Sequence, residues 1–506
     1  MKTQIKLGAI IGYITMAINI VITLAYMPLM LRLMGQAEYG LYSLVVSVVT
    51  YLTVLDLGFG NAMIRFVSKS QAQKDNKEPV LNGMFLLLYL IIGVIAFVIG
   101  MIIYANASKI FGASLSVEEV AKARILLIIS LTNVSLSFPL KVFEAYTTVN
   151  EKFVFIKILA LIRTVLTPLT MTPLLFMGYK AVTMTIVTTV VNIGCQLVMM
   201  MYCFTKLKMK IKFGIKKFDT KLFKEIAVYS FFIFLNIIVD HVFNTTDQII
   251  LGIACGTIAV SVYAIAHQII QMNLQCSTIV SGMFLPKITK LLEEKNSDKK
   301  ISDLFIKVSR IQMYIMLLVL SGFFIFGKSF IGLWAGEEYI QAYYIVLIII
   351  TPSIVPLTQN LGLSVIQARN RHQFRSVVYI IIAILNVLIS IPLAIKYQGI
   401  GAAIGSALAN ICGQIITMNI FYYKKMYLDI PKYWKFFIKL ALQVGILSSI
   451  TYFVTAKISM NFFIMIVCAG IYTMLYLMVI FANMNDEERD TIYKFIGKFF
   501  KKTIKA

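Results

Sequence analysis

Apolar runs of about 20 residues recur along the whole chain, separated by short polar or charged connections. A helix of about that length crosses a hydrocarbon core of roughly 30 Å. The pattern predicts fourteen spans, at roughly 8–31, 40–62, 82–105, 122–147, 155–176, 181–204, 225–247, 258–285, 307–331, 340–365, 373–395, 399–422, 435–456 and 460–482. The first stretch, MKTQIKLGAIIGYITMAINIV, places basic residues ahead of an apolar run, as a signal peptide does. Its apolar part is too long for one and lacks a small-x-small cleavage site, so it reads as a retained first span.

Polar residues inside the spans fall on helical stripes. Span 1 has Thr15, Asn19, Thr23 and Tyr26, and span 7 has Asn236, Asp240, Asn244 and Asp247 at the same spacing. Span 5 carries Arg163, Thr167 and Thr170, and span 8 carries His267, Gln271, Gln275 and Thr278. Each set occupies one helix face.

The stripes of spans 1 and 7 are also a repeat. Gly35 and Tyr42 reappear as Gly256 and Tyr263, Phe153 as Phe374, and Pro173 as Pro392. The segments YKAVTMTIVTTVVNIGCQ (179–196) and YQGIGAAIGSALANICGQ (397–414) share Y-x12-N-I-x2-Q. Near-constant offsets over such a distance predict two six-helix halves of like orientation, related by an axis along the membrane normal. The expected organisation is an N-lobe at 1–215, a C-lobe at 216–425, two further helices at 426–482 and a basic tail at 483–506.

Composition agrees with the pattern. The chain of 506 residues is 59% hydrophobic and 14% charged, with mean hydropathy +0.85. A soluble domain is nearer half apolar and about a quarter charged. The net charge of +24 suggests nucleic acid until the charges are located. With the N-terminus placed inside, only Arg32, Lys109, Lys122, Arg124, Lys180, Lys328, Lys396 and Lys457 fall outside, and Arg163 within a span. All other Lys and Arg are cytoplasmic, so the positive-inside rule places both termini inside. The basic loop 206–225 then lies near anionic lipid. The six cysteines form no CxxC pair, and the three histidines have no zinc-site spacing, so neither a disulfide framework nor a metal site is expected.

Buried charge is where chemistry is to be sought. A charged residue at the bilayer centre costs about 2.5–3.5 kcal/mol on insertion scales. Arg163 and Asp240 are the hardest to explain as packing. Threonines such as Thr15, Thr23, Thr167 and Thr170 serve as interhelical glue equally well, and His267 fits a satisfied interhelical histidine. Asp247, near the outer end of span 7, reads as a structural interfacial acid. In YLTVLDLGFGNAMIRFVS (51–68), Asp56 and Gly60 share one face of a continuous helix and Asn61 and Arg65 the next. Asp56 either faces a lumen or braces a glycine-loosened helix.

The segment LRLMGQAEYGLYSLVVSVVTYLTVLDLGFGNAMIRFVS (31–68) resembles the N-terminal signature of the Wzx-type polysaccharide-biosynthesis flippases of the MOP superfamily. TTDQIILGIACGTIAVSVYAIAHQI (245–269) resembles the matching segment of the second half. The resemblance covers about 1–425, and helices 13 and 14 also occur in lipid II flippases and some polysaccharide exporters. It implies an all-α integral membrane protein that moves an undecaprenyl-pyrophosphate-linked oligosaccharide from the cytoplasmic to the outer leaflet of a bacterial cell membrane. The implied mechanism is alternating access, coupled to a proton or sodium gradient, with no other cofactor. Its implied partners are the bilayer, that lipid-linked substrate, and the polymerase and glycosyltransferases of the same pathway.

Under this reading Arg163 and Asn19 line the lumen, and Arg65, Lys141, Arg369 and Arg375 gather the anionic head group at the cytoplasmic mouth. Asp240, His241, His267 and Asp56 are the ion-coupling candidates. The rivals are a MATE-type cation exporter, a lipid II flippase, and a membrane polymerase or ligase. The last would need catalytic groups outside the membrane, and the longest outside loop, about 105–121, offers no nucleophile–base set. No Walker, GxGxxG or GxSxG motif appears in a fitting context, so an ATP-hydrolysing or other enzyme is not expected.

Overall fold

The computed structural model describes residues 2–213, 220–281, 284–294, 296–369, 371–486 and 488–489. Within these, side chains are not described for 2–6, 8–10, 13, 220–229, 231–233, 235–236, 240, 244, 276, 278–281, 285–287 and 372–373. Among the described residues the chain is helical, with no strand. Eleven described segments are long and apolar enough to cross a membrane, so this is a multi-pass membrane protein. One of them, 374–426, holds two of the fourteen expected spans, because the backbone breaks at Gln398 (φ 51°).

Surface composition is inverted relative to a soluble protein. The helix Glu78–Phe111 (α4) exposes Leu90, Ile91, Val94, Val98 and Ile102, and Phe462–Asn483 (α17) exposes Phe463, Ile466, Met474 and Met478. Apolar faces of this extent fit a lipid environment and not water.

Contacts divide the chain into two compact units. The first comprises Met1–Ile265 with Tyr379–Ser406, and the second Ala266–Val378 with Ala407–Ala506. In the first unit, α1 (Lys2–Met34) packs on α6 (Phe153–Phe176). The helix α5 (Val117–Val149) packs on α4 and on α7 (Ala181–Thr205). A Ser116–Glu119 capping box starts α5, satisfying backbone N–H groups that an uncapped end would leave free. Small residues allow close approach, as Gly93 does against the Ser135 carbonyl and Gly100 against Leu131.

Two expected spans are not continuous. In span 2, α2 (Gln36–Leu52) runs into a 3-10 turn, Thr53–Asp56, and α3 begins only at Phe59 and ends at Gln73. Leu57 (φ 52°) and Gly58 (φ 76°) are left-handed there, which interrupts the backbone ladder. Asp56 therefore does not share a regular helix face with Gly60. Span 10 is divided at Gln359 into α12 (Gln341–Thr358) and α13 (Asn360–Ala368), after two internal prolines, Pro352 and Pro356. The repeat has a local counterpart: Gly35 and Gly256 both have positive φ, 84° and 89°, immediately before a helix. The helices they precede are α2 and α9 (Thr257–Ser281).

In the second unit, α11 (Ser297–Trp334) packs on α12, α16 (Ile430–Thr455) and α17. Arg310 of α11 forms a bidentate pair with Glu488, just past α17, through Nε–Oε1 at 2.7 Å and Nη2–Oε2 at 2.8 Å. The same guanidinium donates to the Asn483 carbonyl and lies 3.8 Å from the Phe436 ring centroid. Tyr314 also donates to Glu488. Burial raises the Glu488 pKa, but the Arg310 hydrogen bonds and the Asn485 N–H outweigh it and hold the carboxyl below the usual range.

A folded-state pKa lowered in this way contributes stability above the unfolded-state value, and that stability is lost as pH falls through the folded value. Thermal unfolding of the purified protein should therefore drop in acid, below the ordinary glutamate pKa of about 4.3. Arg310→Ala should lower stability by about 3–5 kcal/mol at neutral pH, as expected for a buried charge left without its partner. An unchanged melting temperature in that variant would contradict the pair's structural role.

Candidate functional site

The break in span 2 turns two polar side chains in different directions. Asp56 accepts from the Tyr89 hydroxyl of α4 at 2.7 Å through Oδ1, and from Lys141 Nζ of α5 at 2.8 Å through Oδ2. The ring of Phe138 lies 5.3 Å from the same ammonium, and Phe59 and Tyr89 close the apolar side. The pair is partly shielded, with Asp56 at 19% and Lys141 at 34% side-chain exposure. Both carboxylate oxygens are thus engaged. Asp56 and Lys141, distant in the sequence, form one ion pair that braces the broken turn.

The other side of the turn meets α8 (Thr220–Ala254). Thr53 Oγ1 lies 3.3 Å from His241 Nε2, and the Tyr51 ring lies 5.9 Å from the imidazole. Tyr51 OH bonds Thr246 Oγ1, and Ser47 donates to Gln248 Oε1 at 2.5 Å. His241, Thr246 and Gln248 of α8 are therefore zipped to α2 and the turn by side-chain hydrogen bonds. His241, expected to serve ion coupling, belongs to this zipper.

Arg163 of α6 forms another cluster. Its Nη1 donates to Asn192 Oδ1 of α7 at 3.0 Å, and Asn192 Nδ2 donates to Asn133 Oδ1 and Ser137 Oγ of α5. The guanidinium side chain is nevertheless exposed. It is an oriented cation at the edge of a polar network, suited to hold an anion bidentately. Asn19 is exposed on α1 and Arg65 on α3. In the second unit, Arg369 is paired with Asp298, Arg375 is half-buried, and His267 is bonded to Gln271 through Nε2 at 3.0 Å. The side chain of Asp240 lies outside the described residues, as do those of Asn236, Asn244 and Thr278.

Asp247 is more deeply buried than an interfacial acid, at 4% exposure. Its Oδ2 accepts from the Tyr263 hydroxyl of α9 and from the Ser406 hydroxyl, the latter at 2.6 Å. Asn386 Nδ2 donates to Ser406 Oγ, and Ser390 donates to Asn386 Oδ1. Both lie on α14 (His372–Asn410), which also carries Ser406. Asp247 Oδ1 has no hydrogen-bond partner among the described residues, and no Lys or Arg there is paired with the carboxylate. A buried acid ringed by hydroxyls and an amide, without a basic partner, is suited to take up a proton or a small cation. Its position along the span does not reveal this depth. Its signal was present: Tyr263 is the repeat mate of Tyr42, and Asn386–Ser390 and Ala402–Ser406 are spaced to face one helix side.

Known proteins resemble this chain in sequence and fold. The family described as polysaccharide biosynthesis protein matches residues 29–344. The chain belongs to this family. A probable low-salt glycan biosynthesis flippase of Haloferax volcanii is 22% identical over 200 residues, 40% of this chain and 42% of that protein. The chain thus spans less than half the length of this curated relative. The solved lipid II flippase MurJ, in an inward closed conformation, has TM-score 0.71 at 16% identity, covering 94% of this chain and 97% of that one. An inward-facing multidrug resistance MATE transporter of the MOP superfamily has TM-score 0.63 at 16% identity, covering 82% and 99%. A MOP superfamily transporter from Pyrococcus furiosus has TM-score 0.56 at 16% identity, covering 84% and 97%. The all-α fold of this family member is that of the MOP transporters.

The Asp56–Lys141 pair predicts a non-additive double-mutant cycle. Lys141→Met should destabilise the protein by about 2 kcal/mol by leaving a shielded carboxylate with one partner. Asp56→Asn combined with Lys141→Met should recover much of that loss. Additive losses by thermal unfolding in detergent would contradict the brace.

Proposed function

We propose that this protein is a flippase that moves a polyprenyl-diphosphate-linked oligosaccharide from the cytoplasmic to the outer leaflet, for surface polysaccharide assembly in a bacterial cell membrane. The observation that carries the reading is the family match over 29–344, which takes in both quoted signature segments, on a MOP transporter fold. A sugar–diphosphate head cannot cross hydrocarbon unaided. Arg163, held by Asn192 but exposed, is the cation for the diphosphate in the lumen. Arg65, Arg369 and Arg375 lie near the cytoplasmic mouth that the charge distribution assigns, where an anionic head group would first be met, whereas Lys141 is committed to Asp56. The protein acts by transport and not by catalysis, and the pathway's glycosyltransferases and polymerase supply and consume its cargo.

The mechanism is alternating access between the lobes 1–215 and 216–425, with both termini cytoplasmic. Hydrogen bonds tie residues of the two repeats together in a form that can break and re-form. Ser114 donates to the Gly252 carbonyl at 2.6 Å, and Thr257 donates to Glu119 at 2.8 Å. By the same topology these lie at the outer end, so their release would open the lumen outward.

Coupling to a proton or sodium gradient is best placed at Asp247. Asp56 is fixed by Lys141, whereas Asp247 has two hydroxyl donors and an oxygen without a hydrogen-bond partner among the described residues. This acid is also what a cation exporter would use, so the MATE-type reading stands as the second one.

The test uses purified protein in liposomes and a fluorescent polyprenyl-diphosphate oligosaccharide. Arg163→Ala should lower the translocation rate at least about tenfold, the loss of one good charged contact of about 1.4 kcal/mol, with folded protein still present. Asp247→Asn should leave lipid binding intact but abolish acceleration by an imposed gradient. Full gradient-driven activity in both variants would overturn these roles.

A further inference from the structure

A cavity of about 780 Å³ lies in the second unit, between the start of α14 and the end of α15 (Met418–Met426). Four cations line it: Arg369, Arg371, Lys424 and Lys425. Among the described residues no carboxylate lines it, and Arg369 alone of the four is ion-paired, to Asp298. The cavity is not uniformly polar. Phe374 and Phe421 stack face to face in its wall, centroids 4.1 Å apart and planes 10° from parallel. Ile420 adds an exposed aliphatic surface beside them.

Three cations without an ion pair among the described residues, over an apolar wall, are a two-part recognition surface. The cations suit a phosphate, to which Arg offers a bidentate fork and Lys a mobile point charge. The aromatic and aliphatic wall suits a hydrocarbon chain. Both flanking loops are cytoplasmic by the charge rule, so the phosphate would sit at the headgroup level of the inner leaflet. A free nucleotide or soluble phosphate would leave the apolar wall unused.

The neighbouring backbone adds a reason for the cavity's shape. The stretch Ile411–Thr417 is a π-helix, and the Thr417 hydroxyl that lines the cavity is turned back to the Cys412 carbonyl at 2.8 Å. The π turn widens the helix just before α15 and shifts the register that sets Phe421, Lys424 and Lys425 on the cavity side. Such insertions concentrate at functional sites.

We propose that this cavity is a binding site for the phosphate group of a membrane lipid in the cytoplasmic leaflet, with the Phe374–Phe421 wall receiving the start of its hydrocarbon chain. Two lipids share that chemistry: a polyprenyl diphosphate and an anionic glycerophospholipid. The site stands on its own geometry, so binding is measured without reference to transport.

The experiment places the full chain in phosphatidylcholine nanodiscs and titrates undecaprenyl diphosphate, phosphatidylglycerol and, as the neutral control, undecaprenol, with bound lipid read by native mass spectrometry. The triple variant Arg371→Gln, Lys424→Gln, Lys425→Gln alters exposed side chains and should fold. It should bind a phosphorylated lipid at least about tenfold more weakly, with undecaprenol unchanged. Loss confined to undecaprenyl diphosphate assigns the cavity to the transported lipid, and loss confined to phosphatidylglycerol assigns it to bulk phospholipid. The charge-conserving variant Arg371→Lys, Lys424→Arg, Lys425→Arg should retain binding. Equal binding of both phosphorylated lipids by wild type and the Gln variant would overturn the proposal. So would the same loss in the charge-conserving variant.

Discussion

Hydrocarbon offers no hydrogen bonds, and the architecture follows from that constraint. Backbone groups are satisfied within helices, and a helix that breaks inside the membrane must have its freed groups and side chains met by neighbouring helices. The turn at Thr53–Asp56 shows how this is done. Thr53 reaches His241 on one side, and Asp56 holds Lys141 and Tyr89 on the other. The left-handed Leu57 and Gly58 are stable there because three other helices supply partners. The same rule makes Asp247 informative, since it is a buried acid whose partners are hydroxyls and not a cation.

The two acids divide the work. Asp56 has both oxygens engaged, by Tyr89 and Lys141, so it braces the turn between α2 and α3 against α4 and α5. Asp247 instead meets hydroxyls at Oδ2, and its Oδ1 has no hydrogen-bond partner among the described residues. Arg163 stands between these cases: Asn192 aims its guanidinium, and exposure leaves the rest of its donors available.

Much of this was legible in the sequence. The spans were readable because a bilayer demands about 20 apolar residues, and the eleven described segments long and apolar enough to cross a membrane fall on the predicted ones. The repeat was readable from Gly35 and Gly256, whose matching positive φ shows why glycine stands at both. The span 2 break was only hinted at by Gly58 and Gly60, because a left-handed leucine leaves no signature. Pairing of Asp56 with Lys141 was beyond reach, since the two lie on different helices and no local spacing relates them. Asp247 was underestimated because its position along the span suggested an interface, while Tyr263 and Ser406 arrive from other helices to bury it. The cationic cavity was hidden for the same reason: Arg371 and Lys424 meet only in the folded chain.

The proposed function requires that a gradient drive an anionic lipid-linked sugar through this protein. The most direct measurement reconstitutes the wild-type chain in sealed liposomes and imposes a proton gradient, a sodium gradient or none. It then follows both a fluorescent polyprenyl-diphosphate oligosaccharide and an organic cation in the same vesicles. Flipping of the lipid-linked sugar that accelerates under one gradient, with the cation retained, is the predicted result. Gradient-driven efflux of the cation with no movement of the lipid-linked sugar would contradict it and assign this fold to cation export.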